Sequence, residues 1–552
     1  MNRKGDSSMI RKEDLMNTLL KLVEVPGISG TESEELTAKR VYELTAEIPY
    51  FSEHKENLRM IRLEQDPYNR SFVSALLRMD PGSRKTVILT GHHDVVDVEE
   101  YGHLKPYAFN PAELAGRIQE LKLDEDSAAD LRSGDWIFGR GTADMKFGLA
   151  LCIELLREYS RRNDFKGNLL FLSVPSEETN SEGMLGAAEY LSGLQENEGY
   201  EFTAVMLTEC YAPKNAGDKM RYIHYGASGK IMPMFFFAGK ETHVSEPFAG
   251  IDPTLMSSEV NKLLNLNTGL CEYSKGVATP PPICLRQVDL KTLYSVQTAL
   301  YAAAYYNVVT LGNDTERLLS ELKKLALQAF SNVLKELEAR HRSYEEKYGQ
   351  TVDRFEASPY VITYKELYDR VKEHYGLEFD SYLDSKIEEW DRCGLDIQTK
   401  AVYILKETMD RYPEKRPMIV ISFIPPYYPS RFPEESTAKN RHVLDAIEDI
   451  MEYAASKHNE PFEKAYYYTG ICDLSYTGLE ENCPIDEVYE NMPGAGRFYK
   501  LPVESLKVLD IPGFVLGPYG KDVHKYTERL NISFSFDVIP DLYEYAINRL
   551  FA

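Results

Sequence analysis

The sequence predicts an α/β fold: a mostly parallel-sheet domain that is interrupted by an inserted α+β domain and then resumes. Three observations carry this prediction. Apolar, β-branched runs alternate with helical stretches through the first part of the chain. Three of those runs end in polar, metal-competent residues: TVILTG leads into His92, LLFLSV into Glu177 and Glu178, and AVMLT into Glu209. The texture changes near residue 222 and the earlier pattern returns near 429. This predicts one domain over 1–221 and 429–552, with an insert over 222–428.

Along the chain, RKEDLMNTLLKLVE (11–24) carries apolar residues at helical spacing and stops at PGISG, and Thr31 or Ser33 is placed to cap the next helix. SFVSALLRM and KTVILTGHHDVV have strand composition. An insertion over about 99–134 follows, placed to shape the mouth of a site. The stretch around 145–162 reads as an amphipathic helix, and GNLLFLSV and TAVMLT as further strands. Within the insert, RYIHYGASGKIMPMFFFAGK reads as a strand pair or one long strand, DPTLMSSEVNKLLNL as helix, PICLRQVDL and the long apolar stretch before GNDTER as strands, and GNDTERLLSELKKLALQAF as helix. That β-α-β-β-α order predicts a small sandwich-like domain. Residues 330–415 are charged and helical in pattern, and RPMIVISF returns as strand. PGFVLGPYGKDVH completes the series as a strand ending in His524.

At 552 residues the chain exceeds a single compact domain, and its 43% hydrophobic and 27% charged composition is that of a soluble globular protein. Acidic residues outnumber basic ones 87 to 63, a net charge of −24, which argues against nucleic acid or an anionic membrane surface as partner. The seven cysteines are scattered, odd in number and form no CxxC pair, so neither a disulfide framework nor a thiolate zinc site is expected. No signal-peptide core opens the sequence and no apolar run reaches about 18 residues. A cytoplasmic location is expected.

In open α/β sheets ligands bind outside the carboxyl ends of the strands, so the polar strand ends converge on one crevice. Divalent metals take imidazole nitrogen and carboxylate oxygen. The candidates are His92, Asp144 in FGRGTADMKFG, Glu178 in PSEET, Glu209 in LTEC and His524 in YGKDVH, a set that suits two ions bridged by one carboxylate. Asp94 is spaced to accept the other N–H of His92. Glu177, pointing away from its neighbour, is free to act as general base. Singly, a strand histidine, a turn aspartate or a Glu pair is more often structural, and the combination reverses those odds. Cys210 reads as a small buried residue and His93 as facing away. His341, His374 and His458 read as exposed, and Cys472 with Asp473 as equally consistent with a structural role.

GHHDVV, DWIFGRGTADMKFG, SVPSEET with EGMLGA, LTEC, GKETHVSEP and GPYGKDVHKYTE occur in the order found in the clan MH metallopeptidases. These include the aminoacylase, succinyl-diaminopimelate desuccinylase, carnosinase and carboxypeptidase G enzymes. The long second domain most resembles the bacterial arginine-utilisation, RocB-type branch. The resemblance implies a catalytic domain with two zinc (or cobalt or manganese) ions, a ferredoxin-like lid and a homodimer formed through it. It places His92 and Glu209 on one metal, His524 and Glu178 on the other, and Asp144 between them. It makes Glu177 the base and Asp94 the orienting aspartate, and brings His243 of the lid to the oxyanion. Gly250 and Asp252 fall where the family has glycine and asparagine. The lid strand YYNVVTLGND departs from the family, with Val309 where relatives carry a carboxylate-binding arginine. The expected activity is cleavage of a C–N amide or peptide bond of a small amino-acid-derived substrate, with arginine catabolism as the implied context. Two other readings stand beside it. One is a non-catalytic or regulatory protein on the same fold. The other is deimination or decarbamoylation of a guanidino or ureido group, where relatives often carry histidine in place of Glu178.

Overall fold

The structure, a computed structural model, describes residues 10–211, 218 and 220–552. The chain divides into two units. The first holds the described residues up to Ala227 together with Arg431–Glu480 and Pro502–Ala552. The second holds Ser228–Ser430 and Glu481–Leu501, a return excursion that no shift in composition marks.

The first unit is built on an eight-stranded sheet. Its order is Leu58–Arg62, Ser71–Arg78, Asn168–Val174, Lys85–His92, Glu201–Leu207, Gly513–Val515, Arg221–Tyr225 and Phe462–Ala465. Lys85–His92 runs parallel to both its neighbours, and Gly513–Val515 parallel to Glu201–Leu207. The two strands at the Leu58 edge pair antiparallel. The central strands are buried almost throughout, because helices cover both sheet faces, and they read as continuous apolar runs for that reason. The helix Phe147–Tyr159, expected to be amphipathic, is buried along nearly its whole length between the sheet and the helices Lys12–Val23 and Ile539–Phe551. Its one buried carboxylate, Glu154, accepts the Thr18 hydroxyl at 2.7 Å. The helix Ser33–Ala46 begins where Thr31 Oγ1 accepts the Ser33 N–H at 3.2 Å.

Arg221–Tyr225 stays in the first unit's sheet, apart from Gly229–Ala238, because the chain turns at Gly226. That residue has φ +100°, and an added Cβ would lie 2.5 Å from the Arg431 carbonyl oxygen, so only glycine fits there.

The second unit carries a five-stranded sheet in the order Ile283–Asp289, Tyr301–Thr310, Gly229–Ala238, Met418–Tyr428, Val361–Thr363. The first four are antiparallel and, numbered along the chain, are ordered 2-3-1-4, the split βαβ arrangement of ferredoxin-like domains. The helices Pro253–Leu264 and Thr315–Tyr348 pack together. The helices Tyr364–Tyr375, Leu377–Arg392 and Ile397–Arg411 share a core with Met232, Met234 and Phe236 through Leu367, Leu383 and Leu405. Residues 330–415 thus add a helical layer whose apolar stripe is buried and whose charges face water. His341, expected to be exposed, is on the covered side of its helix. It is buried, its Nε2 lies 3.0 Å from the Val352 carbonyl oxygen, and its ring packs on Phe248. His374 is exposed, whereas His458 pairs with Asp541 at 2.6 Å.

Candidate metal centre

The strand Lys85–His92 delivers His92, buried, to the carboxyl end of the sheet. Its Nε2 lies 3.0 Å from Asp144 Oδ1, 3.5 Å from Glu209 Oε2 and 3.9 Å from Glu177 Oε2. Its Nδ1 lies 3.0 Å from the main-chain oxygen of Asp94 and 3.4 Å from that residue's carboxylate. The carbonyl is therefore the nearer acceptor for the imidazole N–H, where the carboxylate had been expected. The Asp94 carboxylate instead accepts the main-chain N–H groups of Glu177 at 3.1 Å and Glu178 at 3.2 Å, and the Ser29 hydroxyl at 2.5 Å. It ties the Glu177–Glu178 turn to the histidine strand.

Asp144 lies in the bent segment Thr142–Lys146 just ahead of the buried helix. Its Oδ1 faces His92, and its Oδ2 lies 3.2 Å from His524 Nε2. Glu178 Oε1 lies 2.9 Å from the same His524 nitrogen. Glu209 follows the strand Glu201–Leu207, and its second oxygen accepts the Cys210 N–H at 3.0 Å. One carboxylate thus spans two imidazoles, with Glu209 on the His92 side and Glu178 on the His524 side. The ligand-capable atoms of His92, Asp144 and Glu178 lie within 4.8 Å of one another, as do those of Asp144, Glu209 and Cys210. Burial pushes the Cys210 thiol well above its usual range, so it stays neutral beside the carboxylates. His93 turns away to Ser173, with 3.0 Å between its Nδ1 and the hydroxyl.

His524 was expected to end a strand of the main sheet, and the structure corrects this. The main-sheet strand stops at Val515, and His524 lies on a hairpin between Gly520–Lys521 and Arg529–Asn531. Its φ is +68° and its side chain is 49% exposed. That hairpin pairs with Trp136–Phe138 in a separate three-stranded sheet.

Two further residues support the candidate ligands, and of these the sequence reading missed Arg140. Glu528, fully buried, accepts the Ala143 and Asp144 N–H groups at 3.3 and 3.4 Å and pairs with Arg140 at 2.6 Å. Arg140 also donates to the His524 carbonyl oxygen at 3.2 Å. The signal for both was proximity, since each lies four residues from a candidate ligand. Asp473 is also buried, and its charge acts on Glu177.

Crowding sets the electrostatics. Burial would lower His92, but hydrogen bonds to Asp144, Asp94 and Glu209 hold its imidazole well above the ordinary value. Burial likewise opposes protonation of His524, yet Asp144 and Glu178 push it up to about 11. Burial would raise Asp144, but the two imidazoles hold it below the usual carboxylate range. Glu178 is pushed up to about 7 by burial and by the Asp144 charge, and Glu177 and Glu209 are also raised, chiefly by burial. Among the described residues, these buried carboxylates gather around two imidazoles, a charge balance that a divalent cation completes, and the nitrogen and oxygen donors fit such ions.

His243 lies in the second unit, exposed, on the segment that follows Gly229–Ala238. Its Nδ1 is 2.6 Å from Ser245 Oγ, and the loop is held where Val244 N donates to the Val296 carbonyl oxygen at 3.0 Å. Asp252 caps the helix Pro253–Leu264 by accepting the Thr254 N–H at 2.8 Å, and Gly250 lies so close to the Lys240 carbonyl that a Cβ would be 2.2 Å from its oxygen.

The family model for peptidase family M20/M25/M40 matches residues 88–533. The YqjN protein of Bacillus subtilis (strain 168) is 36% identical over 543 residues, covering 98% of this chain and 96% of that protein. Protein RocB of the same strain is 30% identical over 525 residues, covering 94% and 92%. Among solved structures, the di-peptidase Dug1p from Saccharomyces cerevisiae superposes with a TM-score of 0.53 at 13% identity, over 98% of this chain and 96% of that one. Aminopeptidase PepT from Bacillus cereus ATCC 10987 gives 0.52 at 12%, over 99% and 100%. At such identities these two likenesses bear on the fold alone.

Proposed function

The chain belongs to peptidase family M20/M25/M40, and from that premise we propose that it is a two-metal hydrolase of a C–N amide or peptide bond in a small amino-acid-derived substrate. The observation that supports this most is the bridging geometry of Asp144, each of whose oxygens faces a different imidazole backed by a different glutamate. In this reading His92 and Glu209 hold one ion, His524 and Glu178 the other, and Asp144 both. Zinc is the first choice, and cobalt and manganese accept the same donors. Such ions lower the pKa of water toward neutrality and polarise a carbonyl.

The chain's own groups then act as follows. Glu177, in its buried position beside the metal ligands, takes the proton of the attacking water and passes it to the departing nitrogen. Asp94 holds Glu177 and Glu178 in place through their main-chain N–H groups. His243 is assigned to the developing oxyanion on the family resemblance. The lid strand Tyr301–Thr310 carries no arginine, which disfavours a substrate gripped by its carboxylate there. A place in amino-acid catabolism, arginine's included, rests on the likeness to the RocB-type branch. So does a homodimer through the second unit, which the edge strand Ile283–Asp289 supports, with Ile283 41% and Leu285 51% exposed. A cytoplasmic site of action is part of the same reading. Among the described residues no helix is long and apolar enough to cross a membrane.

Metal content per chain, measured by elemental analysis after purification without chelators, tests the proposal. The expected result is close to two equivalents, falling in His92→Ala and His524→Ala, with turnover of dipeptides or N-acyl amino acids. Absence of metal after incubation with excess zinc, cobalt or manganese would overturn it in favour of a non-catalytic role.

A further inference from the structure

Of the five proposed ligands, His524 has the least packing of its own: it is half exposed, on a hairpin, at a backbone angle that L-residues seldom adopt. Its position therefore depends on what holds the hairpin. The holder is the segment around Asp124–Ser133, within the insertion that the sequence reading had assigned to the mouth of the site. Arg529, at the base of the hairpin and 1% exposed, donates to Asp130 at 2.7 Å, Asp126 at 2.6 Å and Asp522 at 2.5 Å. Across the strand pair, Lys521 donates to Asp126 and Asp130, each at 2.9 Å. Asp522 fastens the turn by accepting Thr527 Oγ1 at 3.0 Å and Lys525 Nζ at 3.1 Å. Two residues beyond the histidine, Tyr526 donates its hydroxyl to the Lys122 carbonyl oxygen at 2.6 Å. All of these residues belong to the first unit. The Arg529 guanidinium is itself removed from water, so its charge-assisted hydrogen bonds to three carboxylates fix the hairpin base in a way a solvated ion pair does not.

We propose that the segment Lys122–Ser133 is a clamp that sets the second metal half-site, and that Asp130, Arg529 and Tyr526 are positioning residues for His524. This rests on the two-metal reading above. The clamp acts only on the half-site made by His524 and Glu178, because His92 and Glu209 are carried by strands of the main sheet. A merely structural role would instead weaken both half-sites together.

The test is a zinc titration of the metal-free full chain by calorimetry, comparing wild type, His524→Ala, Asp130→Asn and Tyr526→Phe, with hydrogen exchange of the 520–528 amides read in parallel without metal. Asp130→Asn is expected to keep the first equivalent near wild-type affinity and to weaken the second about 10- to 100-fold, the range seen when groups supporting a metal ligand are lost. Tyr526→Phe is expected to move the second equivalent in the same direction by less, and it decides alone if Asp130→Asn does not fold. Faster exchange of the 520–528 amides in both variants supports the clamp even if wild type takes up no zinc, an outcome that would sink the two-metal reading alone. Unchanged affinity for both equivalents with unchanged exchange overturns the proposal, and so does a parallel weakening of both.

Discussion

At the scale of single residues, the centre is a set of buried carboxylates around two imidazoles, in which burial raises the glutamates and the imidazoles hold Asp144 down. In the proposed reading, Glu177 is the residue on which the reaction depends and metal binding does not. Glu177→Gln is expected to retain metal while losing about 10²- to 10⁴-fold in turnover, checked by kinetics alongside metal analysis. Unchanged turnover would remove Glu177 from the role of base. His92 and His524 are both raised above their ordinary value in the metal-free protein, His524 to about 11, and an imidazole must be neutral to bind a metal. Protons therefore compete with metal increasingly as pH falls, and below about pH 7 Glu178 joins them. Metal affinity should rise between pH 6 and 8, with a net number of protons released on filling the site at pH 7. Calorimetry in buffers of different ionisation enthalpy reads that number, and binding without proton release would contradict the assignment. The residue types at this centre were readable from the motifs. The Asp94 contact with the Glu177–Glu178 turn was not, because it joins loops 83 residues apart.

At the scale of elements, the centre is assembled from strand ends, one bent helix entry and one hairpin. Arg140 and Glu528 join the last two, an ion pair fully removed from water. Arg140→Ala leaves Glu528 buried and unpaired and releases the His524 carbonyl. It should destabilise the first unit by about 3–5 kcal/mol, seen as a lower thermal midpoint, whereas a surface pair would contribute under about 1 kcal/mol. A midpoint matching wild type would mean that water reaches the pair. The apolar runs announced the central strands correctly because burial on both faces leaves no alternation to misread. The same logic misled for Phe147–Tyr159, where helical spacing suggested a wet face that the neighbouring helices in fact cover. The short hairpin strands around His524 were illegible, two or three residues being too few to show a period.

At the scale of the whole molecule, the strand Ile283–Asp289 lies at the edge of its sheet with the apolar side chains of Ile283 and Leu285 exposed. A dimer is expected by light scattering, and Leu285→Lys should shift it toward monomer; a wild-type monomer would remove the dimer from the proposal. By itself the sequence determined the α/β class and an interrupted first domain, and it put forward the candidate donors His92, Asp144, Glu178, Glu209 and His524, because buried strands and metal-binding chemistry both restrict residue type at fixed positions. Tertiary structure alone decided which atoms of those residues face one another, that Arg140 pairs with Glu528 beside them, and that the 99–134 insertion reaches the His524 hairpin. Those contacts span as many as roughly 400 residues of chain, and no local periodicity or composition encodes a separation of that kind.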